Sequence, residues 1–529
     1  MFEKVLVANR GEIAVRVIRA LREMDIKSVA VYSEVDRTAL HVQMADQAVC
    51  LGPPEPVASY LDQGSVLDAA KCTGADAVHP GYGFLAENPD FAKRCGEEGF
   101  VFIGPGHEEI RFLGNKLLSR EKVGKAGVPI IPGMVGRDLQ IEDIFAEAAK
   151  MGFPVMIKAA SGGGGKGMRV VDRKEALKES LEGAMREAGS AFGDSTVYLE
   201  KYLDQPRHIE FQVMADLEGN VVHLFERECS IQRRHQKIVE ESPSTVLSQK
   251  KRDEMAEAAI EVVRAVGYRS AGTVEFLYDM DGNFYFLEVN TRIQVEHPVT
   301  ELILGVDLVK EQIKVAAGLR LDIAQKDLKP RGHAIECRIY AEDPENDFLP
   351  SFGKINFLSE PDGPGVRVDS GIAAGCEVPM HYDPILSKVI VWGEDRDLAR
   401  QRMKRALLEY RLEGIKTTID FLRDLMDEPE FVKGNTTTSF IQNYLPGWKK
   451  SKVEKSRLRE ALIAAALDAG RSLTQGGLLP PDAARIETPW DRLGSWRVIG
   501  GTTGKSRIGK PSTGKSDTGK SHNEGGGGE

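Results

Sequence analysis

The stretch Glu288-Val-Asn290-Thr-Arg292-Ile-Gln294-Val-Glu296-His-Pro most restricts what this chain can become. Five polar residues alternate with Val289, Thr291, Ile293 and Val295. A period of two is a strand period, so all five polar groups are predicted on one face of a strand. A face with two carboxylates, two amides and a guanidinium is not a core face. It is either a solvated edge or the wall of a polar site, and the residues upstream argue for the wall.

Those residues read as a hairpin. Gly272-Thr-Val-Glu275-Phe-Leu-Tyr and Asn283-Phe-Tyr-Phe-Leu-Glu288 flank Asp281-Gly282, a strong two-residue turn signal. If Met280 pairs with Asn283, Glu275 sits opposite Glu288, with Cβ atoms about 5 Å apart. Two bare carboxylates there repel by about 3 kcal/mol at an effective dielectric near 20. A divalent cation would relieve this, and oxygen-only ligands suit Mg²⁺ bridging a nucleotide's phosphates. Asn290 adds a third oxygen on the same face. Arg292, Gln294 and Glu296 lie beyond it for a second substrate.

Length and charge narrow the class. A chain of 529 residues predicts three or four domains. A formal net charge of −10 (Lys+Arg 70, Asp+Glu 80) gives no support for a nucleic-acid surface. The six cysteines, at 50, 72, 95, 229, 337 and 376, show no Cys-x-x-Cys spacing, which favours reduced thiols in a cytoplasmic protein over a disulfide or zinc framework. The start reaches Asn9-Arg10-Gly11-Glu12 too soon for a signal peptide. No apolar run is long enough for a membrane span.

Along the chain, residues 3–8 read as a buried strand, 11–23 as an amphipathic helix and 28–32 as a second strand. This is a βαβ unit and implies a parallel sheet, with similar alternation to about residue 110. His79-Pro-Gly-Tyr-Gly83-Phe is a turn-rich loop whose Gly-x-Gly is only a weak nucleotide signal. Residues 115–150 read mainly as helix. Residues 153–158 form a strand entering Ser161-Gly162-Gly-Gly164-Gly165-Lys166-Gly167, and 168–171 a strand leaving it. Four consecutive glycines let backbone N–H groups approach phosphate oxygens, and Lys158 and Lys166 add positive charge. Arg207-His208-Ile-Glu210-Phe-Gln212 alternates again, and the cationic run Gln232-Arg-Arg-His235-Gln-Lys237 reads as an anion-binding wall. Residues 333–340 alternate too. Helices are predicted from about 396 to 445 and an Ala-rich helix at 454–468. A Pro/Gly linker at 475–482 and Pro489-Trp490 through Trp496 follow. From Gly500 the Gly/Ser/Thr/Lys-rich composition predicts disorder. Its two overlapping matches to the phosphate-loop pattern, ending at Lys515-Ser516 and Lys520-Ser521, lack the strand and helix that the mechanism needs.

Together these motifs resemble biotin carboxylase, an ATP-grasp ligase, over about residues 1–446. They are the Val-Ala-Asn-Arg-Gly-Glu-Ile-Ala start, His79-Pro-Gly-Tyr-Gly-Phe-Leu, the tetraglycine flap, Gln232 through Lys237, and Glu288 through Pro298. The resemblance implies an α/β fold. It has a Rossmann-like parallel-sheet domain (1–114), an ATP-grasp domain (115–330, lid about 131–203) and a mixed α/β C-terminal domain (331–446). A helical and linker extension (447–500) and a tail (501–529) follow.

The resemblance also implies roles. Lys116, Lys158, the Gly164-Gly165 backbone, Glu200, Lys201, Tyr202, Leu203, His208, Gln232 and His235 would hold ATP. Glu275, Glu288 and Asn290 would hold Mg²⁺ or Mn²⁺, two ions being implied, with the two glutamates counted in the ATP site as well. Lys237, Arg292, Gln294, the Val295 backbone and Arg338 would surround bicarbonate and biotin. Glu296 would be the base, and Lys237, Arg292 and Arg338 would share in the chemistry. The flap has four consecutive glycines where some members have five. Residues 450–500 look like the segment that precedes a biotinyl domain in larger acyl-CoA carboxylase α chains. The only Met-Lys here is Met403-Lys404, so biotin is expected on a separate carrier protein and not on this chain. A carboxyltransferase partner and a homodimer are implied as well. The expected reaction is the first half of acetyl-CoA carboxylase. The alternatives are the corresponding component of a propionyl-CoA, methylcrotonyl-CoA or pyruvate carboxylase, or a non-catalytic regulatory subunit.

Overall fold

The computed structural model describes residues 1–134, 141–159, 168–450, 459–460 and 462–467. Residues 1–450 form one compact unit; residues 451–529 form a second, in which 459–460 and 462–467 are helical, within the predicted Ala-rich helix. Among the described residues no helix is long and apolar enough to cross a membrane.

The N-terminal β-α-β pattern folds as its spacing predicts. Strands β1 (Lys4–Val7), β2 (Lys27–Ser33), β3 (Gln47–Gly52), β4 (Ala77–His79) and β5 (Val101–Phe102) form a parallel sheet in the order β3-β2-β1-β4-β5. Helix α1 (Gly11–Glu23) buries Ile13, Val17, Ile18 and Leu21 in a core that also holds Met214, Leu224 and Ala271. The first layer is thereby fixed to the central sheet. The glycine-containing loop after β4 has a structural job. Asn9 donates its amide to the Pro80 and Tyr82 carbonyls, each at 2.7 Å, and a Cβ on Gly81 would meet that amide at 2.8 Å.

Helix α2 (Lys116–Lys125) leads into a small antiparallel lid sheet. Its strands are β6 (Gly133–Met134), β7 (Val155–Ala159), β8 (Arg169–Val171) and β9 (Val197–Lys201), in the order β6-β9-β7-β8. The tetraglycine segment between β7 and β8, with Gly164 and Gly165, lies outside the described residues.

An eight-stranded sheet carries the site. Its strands are β10 (Arg207–Ala215), β11 (Val221–Arg233), β12 (Gln236–Ser242), β13 (Ser270–Tyr278), β14 (Phe284–Asn290), β15 (His333–Tyr340), β16 (Val366–Ser370) and β17 (Ile385–Gly393). The order is β14-β13-β10-β11-β12-β15-β17-β16. Helix α3 (Gln249–Val266) covers β10 and β11, with Met255, Ala259 and Val262 in one core with Ile209, Phe211 and Val213. Helix α4 (His297–Leu304) buries Val299 and Ile303 against Ala334 and Ile390. Helix α5 (Arg396–Glu409) packs Met403 and Leu407 against Cys337 and Val389. Arg411–Glu413 interrupts the predicted C-terminal helical run as a short strand paired with Phe357–Ser359.

Two sequence expectations need correction. The β13–β14 turn has three residues, not two: Asp279 N–H donates to the Asn283 carbonyl at 2.9 Å, and Gly282 has φ 83°. Asp279 Oδ1 accepts from the Asp281 and Asn283 amides, which organises the longer loop. Near the turn the register is therefore Phe276 with Phe286 and Tyr278 with Phe284, one residue out of step with the expectation. An irregularity between Glu275 and Phe276 then restores the expected Glu275–Glu288 pair. The second correction concerns β14, which ends at Asn290; Arg292, Gln294 and Glu296 lie in a connection of bends and turns into α4. The alternation persists because that connection lies against the core by Ile293, which is fully buried.

Candidate active site

Register brings the carboxylates together. Glu210 of β10 is opposite Glu275 of β13, and Glu275 is opposite Glu288 of β14. Three like charges in a row across three strands would be destabilising without counter-charge. Lys237 supplies most of it. Its Nζ lies 2.5 Å from Glu210 Oε2, 2.8 Å from Glu275 Oε1 and 2.7 Å from Glu296 Oε1. His208 Nε2 is 3.0 Å from Glu275 Oε2, and Lys116 Nζ is 3.0 Å from Glu288 Oε2. Buried Arg227 donates to Glu210 at 2.6 Å and to Gln294 at 2.8 Å.

This charge pairing changes the metal argument. Each facing carboxylate already has its own cation, so their repulsion alone does not demand a metal. The donor set still fits a hard cation: Glu275, Glu288 and Asn290 line one cavity wall and offer only oxygens. The Glu288 side chain is one-third exposed, and Lys116 holds its Oε2. Asn290 donates its amide to Glu275 at 2.8 Å, and its Oδ1 accepts from Arg292 at 3.1 Å. The Arg292 guanidinium thus stands beside the oxygen that Asn290 would offer a metal.

The cavity measures about 640 Å³, within the range for nucleotide-sized ligands. Its walls hold Lys116, Lys158, Glu200, Lys201, Tyr202, Leu203, His208, Gln232, His235 and Lys237, together with Arg292, Gln294, Val295, Glu296 and Arg338. Every predicted site residue within the described part of the chain thus borders one space. Lys158 pairs with Glu200 at 2.6 Å, and Arg120 bonds the other Glu200 oxygen. His235 reaches the cavity from the β11–β12 turn, where Arg234 and His235 both have positive φ (48° and 68°). Non-glycine residues rarely adopt that conformation, and such strain concentrates at ligand sites.

At the far end, Glu296 sits between two cations. Lys237 holds one oxygen, and Arg338 Nη2 lies 3.0 Å from the other. Burial pushes the Glu296 carboxyl up, but Lys237, Arg338 and Arg227 outweigh it and hold the group below the ordinary carboxylate range. Glu275 is likewise pushed up by burial yet held well below that range by Lys237 and His208. For Lys237 the balance reverses: burial lowers it, and its three glutamates raise it well above the ordinary lysine value. Arg292 is anchored by Glu87 from the loop after β4, at 2.9 Å. The Val295 carbonyl accepts from buried Lys388 at 2.6 Å, which leaves its N–H as the backbone group for a ligand.

Sequence reasoning missed Glu210, Arg227, Glu87 and Lys388. Glu210 was within reach, because the β10 alternation puts it between His208 and Gln212 on a site-facing side. The others make contacts across long chain separations and carry no local signal.

Comparison with known proteins agrees with this geometry. Residues 1–110 match the family "Biotin carboxylase, N-terminal domain", residues 115–324 "Carbamoyl-phosphate synthase L chain, ATP binding domain" and residues 336–443 "Biotin carboxylase C-terminal domain". The chain is 54% identical to a pyruvate carboxylase subunit of Methanothermobacter thermautotrophicus over 447 residues, covering 84% of this chain and 91% of that protein. It is 52% identical to a biotin carboxylase of Nostoc sp. over 442 residues, covering 83% and 99%. The crystal structure of the biotin carboxylase domain dimer of Hydrogenobacter thermophilus 2-oxoglutarate carboxylase, bound to MgADP, ADP and bicarbonate, superposes with a TM-score of 0.82. It is 47% identical to this chain, covering 85% of this chain and 100% of that one. The chain belongs to the biotin carboxylase family, as an ATP-dependent carbon–nitrogen ligase of the ATP-grasp fold.

Proposed function

We propose that this enzyme carboxylates biotin on a separate biotin carboxyl carrier protein, as the first half-reaction of an acetyl-CoA carboxylase. The observation that carries the reading is the Lys237–Glu296–Arg338 chain at the end of a nucleotide-sized cavity: one carboxylate held ionised between two cations.

In this reading Lys116, Lys158, Glu200 through Leu203, His208, Gln232, His235 and the Gly164-Gly165 backbone hold ATP. Glu275, Glu288 and Asn290 hold Mg²⁺ or Mn²⁺, which would offset phosphate charge when bound. Bicarbonate enters beside Arg292, Gln294 and the Val295 N–H. Its proton goes to Glu296, and the oxygen so freed attacks the γ-phosphorus of ATP; the bond to the β,γ-bridging oxygen breaks, giving carboxyphosphate and ADP. Glu296 between two cations is a weak base in the free site. The incoming anion competes for Lys237 and Arg338, and that competition raises the proton affinity of Glu296 when it is needed. Carboxyphosphate then splits into CO₂ and phosphate, the phosphate takes the N1′ proton of biotin, and Arg338 stabilises the enolate-like biotin whose N1′ bonds to the carbon of CO₂. The domains span residues 1–114, 115–330 and 331–446; the second and third line the cavity, and the first reaches it through Glu87, which holds Arg292. Six free cysteines support a reducing, cytoplasmic setting. The dimeric Hydrogenobacter domain supports a homodimer, with a carboxyltransferase subunit downstream.

A second reading keeps the half-reaction and changes the final acceptor. The names of the relatives favour it, since they point to pyruvate and 2-oxoglutarate. Bicarbonate-dependent ATP cleavage with free biotin tests the shared chemistry. Labelled bicarbonate offered with purified biotinylated carriers identifies the partner. No ATP cleavage would refute both readings, and transfer only to a keto-acid carboxylase carrier would refute the first.

A further inference from the structure

The turn that carries Val295 and Glu296 is held from behind. A peptide unit is planar and trans, so a carbonyl and the N–H of the next residue point in opposite directions from one rigid plate. Fixing the Gln294 carbonyl therefore fixes where the Val295 N–H points, and fixing the Val295 carbonyl fixes the backbone N–H and Cα of Glu296. Buried side chains hold both carbonyls. His297 Nδ1 lies 2.7 Å from the Gln294 oxygen, which also accepts the His297 backbone N–H at 3.3 Å. Lys388 Nζ donates to the Val295 oxygen at 2.6 Å. His297 and Lys388 are both fully buried, and neither borders the cavity.

Lys388 is the one charged residue in β17. It stands opposite Arg338 in the β15–β17 ladder and opposite Asp369 in the β16–β17 ladder. A buried ammonium is costly unless it is paired, yet its carboxylates stand off. Glu12 Oε1 of α1 is 3.4 Å away and Asp369 Oδ2 is 3.9 Å away. Each is held more closely by another group: Asp369 by the Arg367 fork at 2.9 and 2.7 Å, and Glu12 by the Tyr82 hydroxyl. The shortest contact of the ammonium is thus the carbonyl one residue before Glu296, and a charged donor makes that hydrogen bond a strong one. Burial keeps the His297 ring neutral, well below the ordinary histidine value, and the charges of Lys388, Arg16 and Arg367 add to this. A neutral ring has one N–H, and a carbonyl can only accept, so the proton sits on Nδ1. Nε2 makes no hydrogen bond and lies 3.9 Å from Glu301.

We propose that His297 and Lys388 are positioning residues for the bicarbonate step: His297 aims the Val295 N–H at the anion, and Lys388 sets the backbone from which Glu296 reaches its proton. This rests on the reading in which bicarbonate meets the Val295 N–H and Glu296 is the base. Neither side chain touches substrate; each acts through one peptide unit. A hydrogen bond to a carbonyl also polarises its peptide, which makes the Val295 N–H a better donor. The two grips fall on consecutive peptides, so losing either frees a hinge beside the base. A misplacement of about 1 Å near reacting atoms can cost roughly 100-fold in rate. The nucleotide end stands on other elements: Lys116 on α2, Lys158 on β7, and Glu275 and Glu288 on the β13–β14 hairpin. A loosened turn leaves those groups where they are.

The test is steady-state kinetics of the full-length enzyme with ATP, bicarbonate and free biotin, with circular dichroism to confirm folding. His297→Leu removes the ring donor, while His297→Asn offers an amide N–H close to the place of Nδ1. Lys388→Met keeps the side-chain length and removes the ammonium. His297→Leu and Lys388→Met are each expected to lower kcat/KM for bicarbonate by roughly 10- to 100-fold and to leave the ATP KM unchanged. His297→Asn should recover most of the loss. An unchanged bicarbonate kcat/KM in folded His297→Leu or Lys388→Met overturns the proposal. So do equal losses for ATP and bicarbonate, which mark a merely structural role, and a His297→Asn no better than His297→Leu. Should Lys388→Met not fold, Lys388→Met with Glu12→Gln takes its place, since it leaves no unmatched Glu12 carboxylate; if that also fails, the His297 pair decides. Full carboxylation by Glu296→Gln would instead remove the base reading and the Lys388 half with it. The His297 half, which acts on the Val295 N–H, would still stand or fall on Leu against Asn.

Discussion

Glu275 and Glu288 face each other across neighbouring strands, yet they answer to different cations: Glu275 to Lys237 and His208, Glu288 to Lys116. A lysine at 288 would confront Lys116 where an ion pair now stands. Two ammonium groups 4 Å apart repel by about 4 kcal/mol at an effective dielectric near 20, and cavity exposure lets them part. Glu288→Lys should therefore fold, and the opposed Glu275 carboxylate helps it do so. Mg-dependent ATP turnover should be lost. Normal metal-dependent ATPase activity in the folded variant would remove Glu288 from the metal site.

Glu296 lies beyond the end of β14, between Lys237 and Arg338 and away from Glu288. Glu296→Gln keeps the shape and removes the proton acceptor. Steady-state assays should show ATP affinity nearly unchanged and carboxylation slower by roughly 10²-fold or more, the range for loss of a general base. The reverse pattern, weak ATP binding with a near-normal maximal rate, would place Glu296 in the nucleotide site.

What was legible in the sequence depended on the range of the interactions. The period-two pattern gathered Glu288, Asn290, Arg292, Gln294 and Glu296, which line one cavity although the last three stand in bends and turns beyond the strand. It could not show where pairing stops. Thr291 leaves the ladder because its N–H bonds Glu87, more than 200 residues away in sequence. The Glu275–Glu288 pair was predicted through a turn one residue too short, and a bulge between Glu275 and Phe276, about 10 Å from the turn, made up the difference. Asp279, whose carboxylate gathers two loop amides, was the readable sign of the longer turn. Buried Arg227 and Lys388 compensate carboxylates from other strands, and nothing beside them in sequence announces that.

Lys237 is the common counter-ion of Glu210, Glu275 and Glu296. Lys237→Met removes it and leaves three buried carboxylates short of positive charge. Removing one partner of a buried pair costs about 3–5 kcal/mol. The denaturant midpoint should fall accordingly, and carboxylation should be lost. A midpoint equal to that of the unsubstituted enzyme would mean that the ammonium is not the shared partner of these groups.

Acid stability should depend on Glu241. Burial pushes its carboxyl up, but Arg396 and His333, 2.6 and 2.7 Å away, hold it at about 2 against an ordinary value of 4.5. A depressed folded value means that the stabilisation is complete above the unfolded value and is lost as pH falls from about 4.5 towards 2. Urea midpoints measured across that window should drop steeply in the unsubstituted enzyme and more gently in Glu241→Gln. Identical slopes would show that the Glu241 pairing does not govern acid unfolding.

Residues 501–529 should be dispensable for the chemistry. They contain one large apolar side chain, Ile508, and lie outside the described residues. Both phosphate-loop matches fall in this segment, while the cavity that gathers the nucleotide residues is built between positions 116 and 442. Truncation after Gly500, or Lys515→Ala with Lys520→Ala, should leave ATP affinity and free-biotin carboxylation intact. Loss of ATP binding on truncation would contradict the assignment of nucleotide chemistry to the cavity. The segment carries five Lys/Arg against three Asp/Glu, so a docking role for an acidic carrier is a separate outcome. In that case truncation slows carrier carboxylation alone, and the difference fades as salt rises, because exposed charges more than about 10 Å apart are screened at 0.1 M ionic strength.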